Sequence, residues 1–117
     1  MSKFYQFTAA DQDAPARLDL FGAVGRGIFE QWFDESSFKD AMSVVRDDQP
    51  LNVYINSPGG NVRTGMAIYN MLSRHRGPVT ITVAGMAASA ATIITCAKNA
   101  KVVMPRGSMM LIHPPRQ

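Results

Sequence analysis

The sequence predicts an α/β fold built on a mixed or parallel sheet, and three patterns support this prediction. Short alternating apolar runs, at 51–56 and 79–85, are typical of buried strands. Longer segments with apolar residues at helical spacing, at 33–46 and 62–76, indicate amphipathic helices. Strands and helices alternate along the chain, which favours parallel strands joined by crossover helices.

Composition limits the classes of function. The chain has 117 residues, of which 46% are hydrophobic and 18% charged, so it is long enough for one core and is not expected to be disordered. The net charge is +3, and the basic residues are scattered apart from those at 74–76. Because Gly77 and Pro78 follow this cluster, it indicates a helix C-terminus rather than a nucleic-acid surface. We therefore expect no nucleic-acid partner.

Several further classes have no support in the sequence. Cys96 is the only cysteine, so no disulfide within the chain is possible. Residues 1–13 lack the apolar core of a signal peptide, and no stretch approaches the roughly 20 apolar residues of a membrane span. No group of His, Cys, Asp and Glu has metal-ligand spacing. The expectation is a cytoplasmic protein with no membrane partner, no metal and no cofactor.

The first half of the chain contains two predicted elements. Residues 1–16 form a polar lead-in, with a proline-bearing loop from 8 onward, and 17–117 form the single domain. The alternation in 17–24, with Leu18 and Leu20 on one side, predicts the first strand. The segment 33–46 is predicted to be a helix, with Asp34 or one of the two serines after it as N-cap.

The remaining elements follow in order along the chain. They are a turn at 47–50, a strand at 51–56, a helix at 62–76, a strand at 79–85, a helix at 88–99, and strands at 100–105 and 108–113. In the helix over 62–76, one face is apolar and is expected to pack on the core: Val62, Met66, Tyr69 and Leu72. The helix over 88–99 is small and apolar throughout, so we expect it to be buried, with Cys96 in the core.

The strand at 51–56 runs into the glycine-containing segment "SPGG". In α/β folds, sites are built at the carboxyl ends of strands. Without side chains, the amides of Gly59 and Gly60 can approach a ligand closely, and they are candidate donors to an oxyanion or to a peptide backbone. An ordinary tight turn explains the same residues, and two glycines alone favour that simpler interpretation.

Ser89 and His113 are the candidates for nucleophilic chemistry. Ser89 is predicted at the start of the helix over 88–99, where unpaired amides and the helix dipole favour negative charge. A serine in that position is more often an N-cap, and as a nucleophile it needs a base within hydrogen-bond reach. His113 is the one strong candidate base, although a histidine at a strand end is also a common structural hydrogen-bonding group.

Three separated motifs carry a family resemblance. The segments "YINSPGG" with "GMAIYNML", "GMAASAA", and "MMLIHPP", in this order and spacing, resemble the Clp protease proteolytic-subunit family, and most of all its phage-encoded head maturation proteases. The resemblance extends from Arg17 to Pro115. It implies the ββα-superhelix fold shared with crotonases, and a serine endopeptidase whose chemistry itself needs no ATP. It also implies a homo-oligomeric ring with the active sites facing an enclosed chamber.

The resemblance implies a role for each matching residue. Ser89 would be the nucleophile and His113 the general base, while the backbone amides of Gly60 and Ala90 would form the oxyanion hole. The edge that would hold the substrate peptide by strand addition consists of Ser57, Pro58 and Gly59. The implied partners are a polypeptide substrate, other copies of the chain, and either an AAA+ unfoldase or phage capsid and scaffold proteins.

One feature departs from the family pattern. The family's triad ends with an aspartate well downstream of the histidine, whereas all seven aspartates here precede Ser89 and only four residues follow His113. The expectation is therefore a chain truncated after the catalytic histidine, covering roughly the N-terminal two thirds of the domain. Because that aspartate normally fixes the histidine tautomer, we predict weak or no peptidase activity for this chain alone. A dyad enzyme and a degenerate relative are the alternatives.

Other functions remain open at the level of sequence. A crotonase-type acyl-CoA enzyme uses a similar pair of backbone amides without a serine nucleophile. A non-catalytic assembly module is favoured only by the missing aspartate. A Ser–Lys dyad is a further variant, with Lys98 and Lys101 as the available lysines, although neither has the sequence context of enzymes that use such a dyad.

Overall fold

The computed structural model describes residues 2–3, 5–8, 14–25 and 31–112, and the side chains of 14–25 and 31–112. These residues form nine strands and three helices. The elements are β1 (Ser2–Lys3), β2 (Tyr5–Thr8), β3 (Ala16–Phe21), β4 (Ala23–Val24), β5 (Gln31–Phe33), α1 (Glu35–Met42), β6 (Leu51–Ser57), α2 (Val62–Arg74), β7 (Val79–Ala88), α3 (Ala90–Thr95), β8 (Lys101–Val103) and β9 (Met109–Leu111).

The main sheet has six strands and is mostly parallel. Its order is β2-β3-β6-β7-β8, and β9 pairs with the end of β7 beyond β8. All these pairs are parallel except β2 with β3, which is antiparallel. A smaller parallel sheet has the order β1-β5-β4. The predicted α/β class with a mixed or parallel sheet is confirmed.

The first predicted strand, over 17–24, is two strands in two different sheets. Leu18 and Leu20 are fully buried in β3, as their alternation predicts. The break falls at Gly22, which has a φ of +98° and whose position leaves no room for a Cβ beside the Gln31 backbone. Strand β2 lies within the predicted lead-in, to which the sequence pattern assigned no strand.

Helix α1 is shorter than predicted but is capped as predicted. Asp34 Oδ1 accepts a hydrogen bond from the Ser37 amide at 2.8 Å, and Ser37 Oγ accepts one from the Asp34 amide at 3.0 Å. This reciprocal capping box fixes the start of the helix at Glu35. Phe38, at 1% exposure, anchors the helix on the core.

The buried face of α2 agrees with the predicted one only in part. Leu72 is buried and Tyr69 packs partly buried against the core, as predicted. The residues that face the core are Thr64, Gly65, Ile68 and Leu72, whereas Val62 and Met66 are 46% and 42% exposed. The reason is the close packing of α2 on α3 at Gly65, where an added Cβ would lie 2.8 Å from the carbonyl oxygen of Ala90. Because Gly65 faces α3, Val62 and Met66 lie on the side of α2 that is open to solvent.

The boundary between the strand predicted at 79–85 and the helix predicted at 88–99 lies later in the chain than predicted. Strand β7 continues past Gly85 to Ala88. Helix α3 therefore starts at Ala90 and ends at Thr95, inside the predicted 88–99. Cys96 follows the helix and is exposed rather than in the core.

The core lies between the main sheet and the helices. Its largest fully buried side chains are Phe33, Phe38, Leu18, Leu20, Leu51, Ile55, Ile68, Leu72, Ile81 and Ile94. β6, and β7 as far as Val83, contribute every second side chain to this core, so the register of the two strands is tightly specified. Among the described residues, no helix is long and apolar enough to cross a membrane.

Candidate active site

The ends of β6 and β7 bring the two glycine- and serine-containing motifs together. The two strands are parallel neighbours, and Ser57 at the end of β6 pairs with Ala87 near the end of β7. The residues that follow the two strands therefore lie at the same edge of the sheet. On the β6 side these are Pro58, Gly59 and Gly60, and on the β7 side Ser89.

The glycine segment is held in an extended, positive-φ conformation by β4. Gly59 and Gly60 have φ values of +101° and +150°. The Val24 amide donates to the Gly59 carbonyl oxygen at 3.0 Å, and the Asn61 amide donates to the Val24 carbonyl oxygen at 2.8 Å. A Cβ on Gly60 would collide with that carbonyl oxygen of Val24, so only glycine fits here.

The two candidate amide donors differ in availability. The Gly59 amide already donates to Ser57 Oγ at 3.1 Å, within a buried turn. No described residue accepts a hydrogen bond from the Gly60 amide. The Ala90 amide belongs to the first residue of α3, where no intrahelical acceptor exists. Gly60 and Ala90 thus carry the amides that remain available for a ligand in the described part of the site.

Ser89 occupies a strained turn between β7 and α3. Its φ of 56° and ψ of −122° are rarely adopted by residues other than glycine. The Ser89 amide donates to the Leu111 carbonyl oxygen at 2.9 Å, and its own carbonyl oxygen accepts from the Thr92 amide at 2.9 Å. The side chain makes no capping hydrogen bond, so Ser89 is not a side-chain N-cap. A serine on a sharp strand-to-helix turn is the geometry that exposes a nucleophilic hydroxyl in α/β hydrolases.

Gly59 and Ser89 lie in direct contact. A Cβ built on Gly59 would stand 2.7 Å from the Ser89 Cβ and 2.6 Å from the Ala88 carbonyl oxygen. These distances are shorter than non-bonded carbon and oxygen atoms tolerate, so glycine is required for the two motifs to meet. Gly60 and Ala90, whose amides remain available, directly follow the two residues in contact.

Strand β9 leads toward the candidate base. It pairs with β7 so that Leu111 lies opposite Ala88 and accepts the hydrogen bond from the Ser89 amide. His113 is two residues further along and lies outside the described residues, as do Asp11 and Asp13. The predicted pairing of Ser89 with His113 therefore stays a prediction.

Three of the five aspartates that the structure describes accept side-chain hydrogen bonds away from Ser89. Asp19 is 4% exposed and accepts from Arg17 Nε at 3.0 Å, while Asp34 caps α1. Asp48 accepts from Arg46 Nε at 2.7 Å, and this hydrogen bond holds the pKa of the Asp48 carboxyl below its usual value. In the described ranges no aspartate hydrogen-bonds Ser89, and no group of His, Cys, Asp or Glu is placed to hold a metal ion.

No sequence pattern indicated a role for Asn56, which the structure places between the two motifs. Its side-chain Oδ1 accepts a hydrogen bond from the Met86 amide at 3.1 Å. The one available sequence signal was a polar residue directly before "SPGG", at the end of a buried strand. The Asn56 side chain therefore connects β6 to β7 at Met86, which lies three residues before Ser89.

Fold and site together define an α/β protein in which a serine lies at a strand-to-helix turn. This serine is in contact with the glycine segment that follows the neighbouring strand. The model of the Clp protease family matches residues 29–117. The chain therefore belongs to the Clp protease family.

Solved structures agree with this assignment at the level of the fold. ClpP1 from Listeria monocytogenes is 21% identical with a TM-score of 0.59, and the match covers 78% of this chain and 58% of that chain. A mutant of ClpP1 from the same organism is 20% identical with the same TM-score of 0.59, covering 75% of this chain and 54% of that chain. The chain thus spans between half and three fifths of the length of these two relatives.

Proposed function

We propose that this protein is a serine-type endopeptidase in which Ser89 is the nucleophile and His113 the general base. The observation that carries the proposal is the backbone of Ser89. The residue accepts a positive φ at a strand-to-helix junction, and its hydroxyl caps nothing. Strain of this kind costs on the order of 1–3 kcal/mol and is retained mainly where a side chain must be aimed.

The proposed reaction uses Ser89 and His113 with the amides of Gly60 and Ala90. The imidazole of His113 takes the proton of Ser89 Oγ, which attacks the carbonyl carbon of a peptide bond and forms a C–O bond. The former carbonyl oxygen becomes an oxyanion, which accepts hydrogen bonds from the amides of Gly60 and Ala90. Each such donor is worth about 3 kcal/mol of transition-state stabilisation.

The intermediate then collapses and expels the amine. The C–N bond breaks, and the imidazolium of His113 returns the proton to the leaving nitrogen. Water, deprotonated by the same imidazole, then attacks the acyl carbon. The bond from that carbon to Ser89 Oγ breaks, the imidazolium returns the proton to Oγ, and the carboxylic acid product leaves. No step in this sequence calls for a metal or a cofactor.

We further propose that the edge at Ser57, Pro58 and Gly59 holds the substrate as an added strand. The Gly59 backbone is already bonded on both sides, to Ser57 Oγ and to the Val24 amide. Gly59 therefore shapes this edge, and the Pro58 carbonyl is the group available to the backbone of a peptide, while the Gly60 amide serves the oxyanion. An extended peptide uses alternate backbone groups in this manner when it joins a parallel or antiparallel sheet.

The motif resemblance supports a narrower proposal about biological context. We propose that residues 17–117 belong to a peptidase of the phage head maturation type. Its substrates would be capsid or scaffold proteins, with an AAA+ unfoldase as the alternative partner. The complete protein would act as a homo-oligomeric ring. Cleavage of a phage scaffold protein by the purified protein, lost on Ser89→Ala, tests this narrower proposal.

A fluorophosphonate probe tests the central proposal, because it reacts with an activated serine hydroxyl and needs no knowledge of the substrate. We expect slow covalent labelling at Ser89, identified by mass spectrometry of the labelled peptide. Ser89→Ala should abolish it. The matched control is Ser108→Ala, because Ser108 is a turn serine whose hydroxyl is bonded to the Pro105 carbonyl at 2.6 Å.

The outcomes separate the competing functions. Labelling at Ser89 that survives Ser108→Ala supports the serine peptidase. A folded protein that shows no Ser89-dependent labelling after a day with excess probe contradicts it. In that case, binding of an acyl-CoA would favour the crotonase-type alternative, and ring assembly without either property would favour an assembly module.

A further inference from the structure

Strand β7 contains a bulge immediately before the candidate nucleophile. Ile55 of β6 pairs with Val83 of β7, but Ser57 pairs with Ala87. Two steps along β6 therefore correspond to four along β7, and the extra residues lie within 84–86. Gly85 takes a φ of +127° at this point, as bulges commonly require of a glycine.

The side chain of Asn56, an exposed residue, lies against the bulge. Asn56 is the β6 residue between the two register points, and its Oδ1 accepts from the Met86 amide at 3.1 Å. A Cβ on Gly85 would lie only 2.8 Å from the same oxygen, so the side chain packs directly on the bulged backbone. The Asn56 carbonyl oxygen accepts from the Gly22 amide at 3.0 Å, which ties this residue to the end of β3 as well.

The bulge determines where Ser89 lies along the neighbouring strand. After the bulge, β7 pairs with Ser57 through Ala87, and two residues later Ser89 meets Gly59. Without the two extra residues, Ser89 would be carried about two residues, or roughly 7 Å, past the glycine edge. The contact between Gly59 and Ser89 thus depends on a register shift that occurs at Asn56.

We propose that Asn56 is a positioning residue for Ser89: its side-chain oxygen replaces the β6 backbone as acceptor for the Met86 amide and so stabilises the bulge. The inference rests on the proposed serine peptidase function. Asn56 touches neither substrate nor the reacting atoms, and it acts through the backbone between Met86 and Ser89.

The test measures the rate of fluorophosphonate labelling at Ser89 in three variants. Asn56→Ala removes the acceptor, and we expect labelling to slow by about 10- to 100-fold, the usual effect of a reacting group misplaced by about 1 Å. Asn56→Asp keeps an oxygen acceptor of the same shape and should stay within about threefold of the unmodified protein. Asn52→Ala is the matched control, because Asn52 lies on the same face of β6 and pairs with Thr80 outside the bulge.

A second measurement reports on the bulge without any chemistry. Hydrogen exchange of the Met86 amide should become faster in Asn56→Ala and stay slow in Asn56→Asp and Asn52→Ala. A purely structural role would slow labelling only in proportion to lost folding, so melting temperatures are measured for all three variants. If Asn56→Ala does not fold, the test relies on Asn56→Asp. The positioning role requires that this variant folds and is labelled at Ser89.

The possible failures are distinguishable. If the unmodified protein is not labelled at Ser89, the proposed function fails and the positioning role fails with it. If it is labelled, but Asn56→Ala reacts as fast as Asn52→Ala, only the positioning role is overturned. The same holds if Asn56→Asp reacts no faster than Asn56→Ala.

Discussion

Gly59 and Ser89 come from motifs thirty residues apart in the sequence, yet a methyl group on Gly59 would stand 2.7 Å from the Ser89 Cβ. The end of β6 and the turn after β7 are therefore packed too closely for a residue with a Cβ at position 59. The available amides of Gly60 and Ala90 follow directly from the two residues in contact. Four predictions test this junction and the packing that supports it.

Gly59→Ala should separate the two motifs. The added methyl group would stand 2.6 Å from the Ala88 carbonyl oxygen and 2.7 Å from the Ser89 Cβ. Neither of these atoms can move without moving the backbone that carries it. We expect a loss of about 1–3 kcal/mol in the free energy of unfolding from overpacking. We also expect labelling at Ser89 to slow by about tenfold or more. Urea unfolding and probe labelling measure the two effects.

Gly107→Ala is the control for the change at Gly59. Gly107 also has a positive φ, +87° against +101°, but a Cβ there meets nothing within 4 Å. Both substitutions therefore share the backbone strain, and only the first adds a clash. Equal labelling rates in the two variants would mean that the Gly59 contact does not matter to Ser89.

Ser89→Gly should be more stable than Ser89→Ala. At a φ of 56° and ψ of −122°, alanine keeps the backbone strain and glycine relieves it. We expect glycine to be favoured by about 1 kcal/mol in chemical denaturation. Neither variant should react with the probe.

The comparison at an ordinary helical position should have the opposite sign. Lys39 is exposed in the middle of α1, where glycine is about 1 kcal/mol worse than alanine. If alanine proves the more stable residue at position 89 as well, Ser89 is not held in a strained conformation.

Gly65→Ala should destabilise the protein, although the same change in a free helix stabilises it by about 1 kcal/mol. The reason is the Ala90 carbonyl oxygen, which would lie 2.8 Å from the new Cβ. Packing and propensity thus predict opposite signs, and we expect a net loss of about 1–2 kcal/mol. Asn70→Ala, at an exposed position of the same helix, supplies the control because it should leave stability equal or slightly higher. Thermal unfolding of both variants gives the answer.

The rotated face of α2 can be tested by truncating one residue on each side. Ile68 is fully buried, so Ile68→Ala should cost about 2–4 kcal/mol through lost burial and the cavity left behind. Met66 is 42% exposed, so Met66→Ala should change stability by less than about 0.5 kcal/mol. The face predicted from the sequence would place Met66 in the core and give a large loss for it. Denaturant unfolding of the pair decides between the two arrangements.

The sequence predicted the elements whose signals are local. The alternation of Leu18 and Leu20 predicts their burial in β3, and α1 is capped by Asp34, one of its three candidate N-caps. The run at 51–56 is within one residue of β6. Each of these signals depends on residues within one or two turns or on the period of a single strand, so no knowledge of the neighbours was needed.

The tertiary structure decided where the chain passes close to itself. Gly85 reads locally as the end of a strand, but the Asn56 side chain supplies an acceptor that lets β7 continue as a bulge. The helical spacing predicts Met66 on the buried face of α2. The close approach of Gly65 to Ala90 orients the helix so that Met66 is exposed instead.

The contact between Gly59 and Ser89 also depends on where the chain passes close to itself. The sequence by itself determined the class of fold, and together with the family motifs it determined which residues are candidates for the site. Only the register of β6 against β7, set by contacts between residues far apart in the chain, decided that a glycine edge and a strained serine meet.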